Sequence, residues 1–267
     1  MVVFFRVSFA TLGLILFTII SRKNFSLRNW RLYLFLGFFN VALPFLLISW
    51  SEKHITSGMA SVLNSTQPLA TALIASIFIK EERLSLQRVL GLVVGFAGVF
   101  VLLSTRLDGK LSGQALGVLA MVVAVLGYGS SAVFARLHNT GVSPAEQALG
   151  QMSFALLFIV PAMTIIDGSV TLPTRPISYV AFAWLGLLGS FVASVIWYEL
   201  MNEIGPSRVS MTTYLLPLIG VALGGLVLRE KVGWQLLAGG FLIILGIIIV
   251  NRRRTSAQPP LPADNSE

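Results

Sequence analysis

The chain contains no cysteine and little charge. The first absence excludes disulfides, thiolate chemistry and Cys-based metal sites. The second bears on the solvent: 11% of the 267 residues are charged, against roughly 25% in an ordinary soluble domain. So few charges cannot cover the surface of a water-soluble protein of this length. Only two histidines are present, His54 and His138, far apart in the chain, so no His-rich metal spacing exists. There is no phosphate-binding P-loop and no nucleophile elbow. No catalytic residue, cofactor or metal is therefore expected, and the chain is not read as an enzyme. The segment after Met1 lacks a basic leader and a small-residue cleavage site, so a cleaved signal peptide is not expected.

What is present is hydrophobic: 55% of the residues, with a mean hydropathy of +0.84. The net charge of +8 resembles that of a nucleic-acid binder. Here, however, the basic residues flank apolar runs, so they read as topology signals and no nucleic-acid partner is expected. A bilayer core needs about 20 apolar residues as a helix. Nine such runs occur, at 2–20, 33–51, 58–79, 88–104, 113–135, 145–166, 178–201, 208–228 and 234–250. The expected fold is an all-α polytopic bundle of about nine transmembrane helices in a lipid bilayer. Placing Arg252, Arg253 and Arg254 in the cytoplasm and alternating backwards puts twelve basic residues on that side and six on the other, with Arg6 inside a span. That bias predicts a cytoplasmic C-terminus. The tail, 251–267, is rich in Pro, Ser and Ala and is expected to be disordered.

The chain repeats itself. Gly58 to Pro68 matches Ser207 to Pro217 at an offset of 149, and Glu82 to Gln87 matches Glu230 to Gln235 at 148. Ser49-Trp50-Ser51-Glu52 matches Ile196-Trp197-Tyr198-Glu199 at 147, and Ser8-Phe9-Ala10 matches Ser153-Phe154-Ala155 at 145. The first copy occupies 1–105 with four visible spans, and the second occupies 113–250 with five. Subtracting 145 from Gly113 starts the first copy about 32 residues before Met1. One span of that copy is thus expected to be missing: the chain is a fragment, begins late, or works with nine helices. An odd number of spans per repeat inverts the second copy, a common plan of secondary transporters with the substrate near the midplane.

These segments resemble a known family. Gly58-Met-Ala-Ser-Val-Leu-Asn-Ser-Thr-Gln-Pro68, then Ile79 to Ser85 and Gly91 to Gly98, are similar to the end of an EamA repeat of the drug/metabolite transporter superfamily. Ser207 to Pro217, Leu228 to Lys231 and Gly239 to Gly246 are similar to its second copy. The resemblance implies ten helices, an inverted repeat and transport of small metabolites, often export. It also implies that Arg6 and Gln151 occupy matching places in the two halves.

Pro68 and Pro217 fall inside apolar runs. Each removes a helical hydrogen bond, and in hydrocarbon the freed carbonyl belongs against protein or a wet cavity. Asn64, Pro68 and Thr71 share a face by three-to-four spacing, with Ser61 and Ala75; Thr213 and Pro217 share the matching face, with Ser210, Gly220 and Gly224. Either face lines a cavity or packs closely through small residues. The candidate cavity residues are Arg6, Asn64, Gln67, Pro68, Thr71, Tyr128, Gln151, Trp197, Thr213, Tyr214 and Pro217. Arg6 either attracts an anionic group or snorkels to the interface. Glu52 and Glu199 are candidate coupling carboxylates or plain interfacial acids. Glu82 and Glu230 read as helix-end pins, and Gly91, Gly95, Gly113 and Gly117 as packing positions. The expected function is secondary transport of small metabolites, amino acids or related solutes or drugs, across a bacterial cytoplasmic membrane by alternating access. A polytopic scaffold or receptor subunit is the competing reading.

Overall fold

The computed structural model describes residues 1–22, 25–79, 85–103, 113–138, 141–167, 176–204, 215–230 and 233–251. Among the described residues there is no strand. The helices in chain order are α1 (Val2–Ile20), α2 (Leu27–Ser51), α3 (Ser57–Asn64), α4 (Gln67–Phe78), α5 (Leu86–Leu103), α6 (Gly113–His138) and α7 (Pro144–Asp167). Then come α8 (Pro176–Gly186, Leu187–Val192 and Ala193–Ile204), α9 (Leu215–Leu226) and α10 (Trp234–Asn251). Among the described residues, five helices are long and apolar enough to cross a bilayer: Val2–Ile20, Leu27–Ser51, Gly113–His138, Pro144–Ile165 and Pro176–Trp197. Leu86–Leu102, Leu215–Leu226 and Trp234–Val250 are apolar but shorter. The tail beyond Asn251 lies outside the described residues.

The surface of these helices is apolar. On α1 the exposed positions include Leu12, Leu16, Ile19 and Ile20, a stripe at helical spacing. Its opposite side, Val3, Val7, Ala10 and Leu14, is buried. Water would penalise such a stripe, and lipid does not. The chain is a helical membrane protein.

Two apolar clusters form the interior. One joins Met59, Leu63 and Leu69 from α3 and α4 to Leu92, Met121, Ile243 and Ile247 from α5, α6 and α10. The other joins Val7 and Leu14 of α1 to Val41 of α2 and Met152 and Ile159 of α7. α2 serves both: Ile48 packs against the first cluster and Phe45 and Leu46 against the second. α5 and α10 meet through glycines. A methyl group at Gly246 would sit 2.6 Å from the Gly91 carbonyl oxygen, and one at Gly98 would sit 2.6 Å from that of Gly239. Contact this close needs residues without side chains on both helices. Gly91 and Gly95 are therefore packing positions, while Gly113 and Gly117 lie against His54 and Ile55.

The run expected as one span at 58–79 is two half-helices. α3 ends at Asn64 and α4 begins at Gln67 with Pro68 in its first turn. There the missing N–H of proline costs nothing, because the first-turn donors have no intrahelical partner. The connecting residues turn their hydroxyls inward on their own chain: Ser65 Oγ donates to the Val62 carbonyl (2.6 Å) and Thr66 Oγ1 to that of Leu63 (2.7 Å). α2 and α8 each carry a π-helical stretch, Gly37–Ala42 and Leu187–Val192. In α2 the cause is visible: Pro44 follows at once and cannot bond the preceding turn. No proline follows the stretch in α8.

Candidate solute site

Arg6 projects from the flank of the buried side of α1. Its Nε donates to Ser190 Oγ of α8 at 2.8 Å. Its guanidinium carbon lies 4.1 Å from the centre of the Phe45 ring of α2, within cation–π range. Tyr128 of α6 and Glu52 at the end of α2 are near enough to interact electrostatically with it.

A second polar contact mirrors the first. Gln151 of α7 is buried, and its Oε1 accepts from Asn40 Nδ2 of α2 at 2.9 Å. Asn40 Oδ1 in turn lies 3.0 Å from the Ser131 hydroxyl of α6, whose single proton is shared between it and the Tyr128 carbonyl at 2.7 Å. Arg6 and Gln151 stand 145 residues apart; Ser190 and Asn40 stand 150 apart, each fourth in its π-helical stretch. π-helical turns expose polar groups at functional sites. Arg6 was legible as a charge inside an apolar run, and Gln151 as its match in the family resemblance. Asn40, Ser190, Phe45 and Ser131 were missed, and the repeat offset of 145 to 147 in this part of the chain does not pair the first two.

The break between α3 and α4 supplies further polar groups. Asn64 Oδ1 is buried without a hydrogen-bond partner among the described residues. A buried orphan acceptor calls for a water or a ligand donor. Gln67, Pro68 and Thr71 are half-buried. Thr71 spends its hydroxyl on the Gln67 carbonyl, 2.9 Å away, so it offers only an acceptor lone pair. The outer parts of the two predicted faces pack on each other: Ser61 abuts Gly220, and Gly58 abuts Val221 of α9. Close packing therefore holds there. Pro217 is buried in the first turn of the described part of α9. Thr213 and Tyr214, like Ser210 and Glu82, lie outside the described residues, as does the side chain of Glu199. Trp197 is 39% exposed.

At one end of the bundle Glu230 crosses to α3. Its Oε1 accepts from the Ser57 N–H (2.9 Å) and its Oε2 from that of Gly58 (3.1 Å), while the Thr56 hydroxyl accepts from Met59 N–H. Three first-turn donors are thereby satisfied, one by a local cap and two by a carboxylate at the positive end of the helix. Glu52 lies at the same end, open to solvent on one side. Burial of its other side lifts its carboxyl above the ordinary value; Arg6 opposes the shift and Glu230 adds to it. Far from this end, Glu146 in the first turn of α7 accepts from the Tyr33 hydroxyl (2.8 Å) and the Ser26 N–H (3.2 Å).

A bundle of apolar helices with polar and charged side chains meeting in its interior suits a polytopic membrane protein of the transporter class. The family comparison agrees. The model of the EamA-like transporter family matches residues 1–104 and again 115–252, and the chain belongs to that family. It is similar to an uncharacterized transporter of Archaeoglobus fulgidus, 27% identical over 221 residues, 82% of this chain and 76% of that one. It is also similar to a probable terminal-alkyne amino-acid exporter of Streptantibioticus cattleyicolor, 28% identical over 209 residues, 78% of this chain and 68% of that one. In fold it resembles a protein of known crystal structure with a TM-score of 0.63, at 19% identity, covering 93% of this chain and 85% of that one.

Proposed function

We propose that the chain is a secondary carrier that moves small metabolites, amino acids or related solutes or drugs, out of the cell across a bacterial cytoplasmic membrane. In this reading nine spans form two inverted halves, 1–105 and 113–250. The C-terminus is cytoplasmic, and the solute site lies between the halves near the midplane. Arg6, Asn64, Gln67, Pro68, Thr71, Tyr128, Gln151, Trp197, Thr213, Tyr214 and Pro217 line or frame the path, and Glu52 and Glu199 are the carboxylates available for proton coupling.

The observation that carries the proposal is the reciprocal pair of contacts. Arg6 of the first half bonds Ser190 of the second, and Gln151 of the second half bonds Asn40 of the first. Each half in this reading places its polar side chain into the π-helical stretch of the other, which supports two related copies around a shared polar interior. The name of the Streptantibioticus relative, an amino-acid exporter, supports the choice of solute class and of direction.

The test is counterflow in proteoliposomes holding the full chain, preloaded with a panel of amino acids, amines and neutral metabolites. Saturable exchange of at least one panel member is expected. Exchange no faster than in protein-free vesicles, with folded protein present, contradicts the carrier reading and favours a scaffold.

A further inference from the structure

The start of α2 sets positive charge beside exposed apolar surface. Leu27, Arg28, Trp30 and Arg31 are all exposed, as are Arg22 and Phe25 before them. At helical spacing these four fall on one side of α2, and the buried Leu32, Tyr33 and Leu36 fall on the other. Neither the turn at Leu27–Asn29 nor the first turn behind it holds an acidic residue. Among the described residues, Arg28 and Arg31 form no ion pair. The acid that reaches this turn, Glu146 of α7, is committed to the Ser26 N–H at 3.2 Å and the Tyr33 hydroxyl at 2.8 Å.

The backbone here is pinned. Ser26 Oγ accepts from the Arg28 N–H at 3.2 Å, and the Tyr33 hydroxyl lies 3.2 Å from the Ser26 carbonyl oxygen. The Phe25 ring stacks on that of Tyr33, with centres 5.7 Å apart. The Arg31 guanidinium carbon lies 5.5 Å from the centre of the Trp30 ring, within cation–π range. Arg28 and Arg31 stand three positions apart, so they are neighbours on the helix surface and can reach one anion together.

Charge and apolar surface together select the partner. Guanidinium groups pair with phosphate through parallel hydrogen bonds. A soluble anion would satisfy the arginines and leave Leu27, 62% exposed, and Trp30, 47% exposed, uncovered. An anionic lipid meets both needs, because its head lies at the level where indole rings settle and its chains lie just beneath.

We propose that the start of α2 is a docking site for an anionic glycerophospholipid, its phosphate against Arg28 and Arg31 and its acyl chains along Leu27 and Trp30. The site goes beyond the carrier reading and does not depend on it.

Its test is native mass spectrometry of the purified full chain, titrated in mild detergent with phosphatidylglycerol or with phosphatidylcholine. Phosphatidylglycerol is expected to bind more tightly. Arg28→Gln and Arg31→Gln are each expected to weaken it about 5-fold, and the two together about 30-fold, with phosphatidylcholine unaffected. Lys53→Gln, at the far end of α2, is expected to change nothing. Both arginines are exposed, and the single variants keep the test open if the double variant folds poorly. Equal binding of the two lipids, wild-type binding in the double variant, or an equal loss in Lys53→Gln (attraction to net charge alone) overturns the proposal. So does displacement of the lipid by an equal concentration of glycerol 3-phosphate, which would mark a site for soluble phosphates.

Discussion

Single side chains in this interior fall into those with partners and those without. Gln151 and Tyr33 are buried and hydrogen-bonded across helices, so they hold helices together. Asn64 Oδ1 and the Arg6 fork are not engaged among the described residues, and function is sought at such groups. Glu52 gives a pH-dependent signature. Its carboxyl lies above the ordinary value of 4.5 in the folded chain. The folded chain therefore keeps this proton over a range in which the unfolded chain has released it. Stability from this group is present at low pH and declines as pH rises from about 4.5 through the folded value. Glu52→Gln cannot ionise, so its melting temperature is expected to fall less than wild type between about pH 4 and about pH 8. Parallel curves for the two proteins would place the shifted group elsewhere. Arg6 stands out in the sequence as a charge in an apolar run, and Gln151 by its match to Arg6 in the family resemblance. Asn40 and Ser190 do not, because a lone Asn or Ser is common in such runs and their partners are more than a hundred residues away.

Between residues and the whole molecule stand the helix ends and crossings. The α9–α10 turn delivers Glu230 to α3 through Arg229, which adopts a left-handed backbone at φ +54°. Such a conformation is costly for a side chain larger than glycine. The turn is closed by Glu230 N–H donating to the Gly224 carbonyl at 2.9 Å. Gly224 must lack a side chain, since a methyl there would sit 2.6 Å from Glu230 Oε2. Glu230→Ala removes two of three caps on α3 and is expected to cost about 1–2 kcal/mol. Chemical unfolding in mild detergent measures this, and Glu230→Gln should lose less. At the α5–α10 crossing, Gly246→Val places a branched side chain against the α5 backbone. It is expected to lower stability by about 1–3 kcal/mol or more, read as a drop in monodisperse yield and melting temperature; wild-type behaviour would mean the crossing is looser than described. The sequence showed Glu230 as a helix-end pin and the glycines as packing positions. It did not show that 58–79 divides into two helices, because hydropathy reports length and not continuity. Pro68 marked the region, but Ser65 and Thr66 decide where the helix stops.

At the scale of the whole chain, hydropathy and repetition carried the fold class and the family. Both depend on composition and order rather than on particular contacts. The meeting of two halves at a polar interior depends on contacts between residues 111 and 184 positions apart, which no local pattern encodes. The central claim is that this interior is a hydrated path for solute. It is tested most directly by single cysteines, placed one at a time along 57–78 in a chain that has none of its own, and challenged in vesicles with a water-soluble thiol reagent. The account predicts labelling at Asn64, Gln67 and Thr71, slowed by a transported solute. It also predicts protection at Leu63 and Leu69, which are buried in the apolar core. Uniform protection along the whole stretch would contradict it, because the polar face would then be packed and dry.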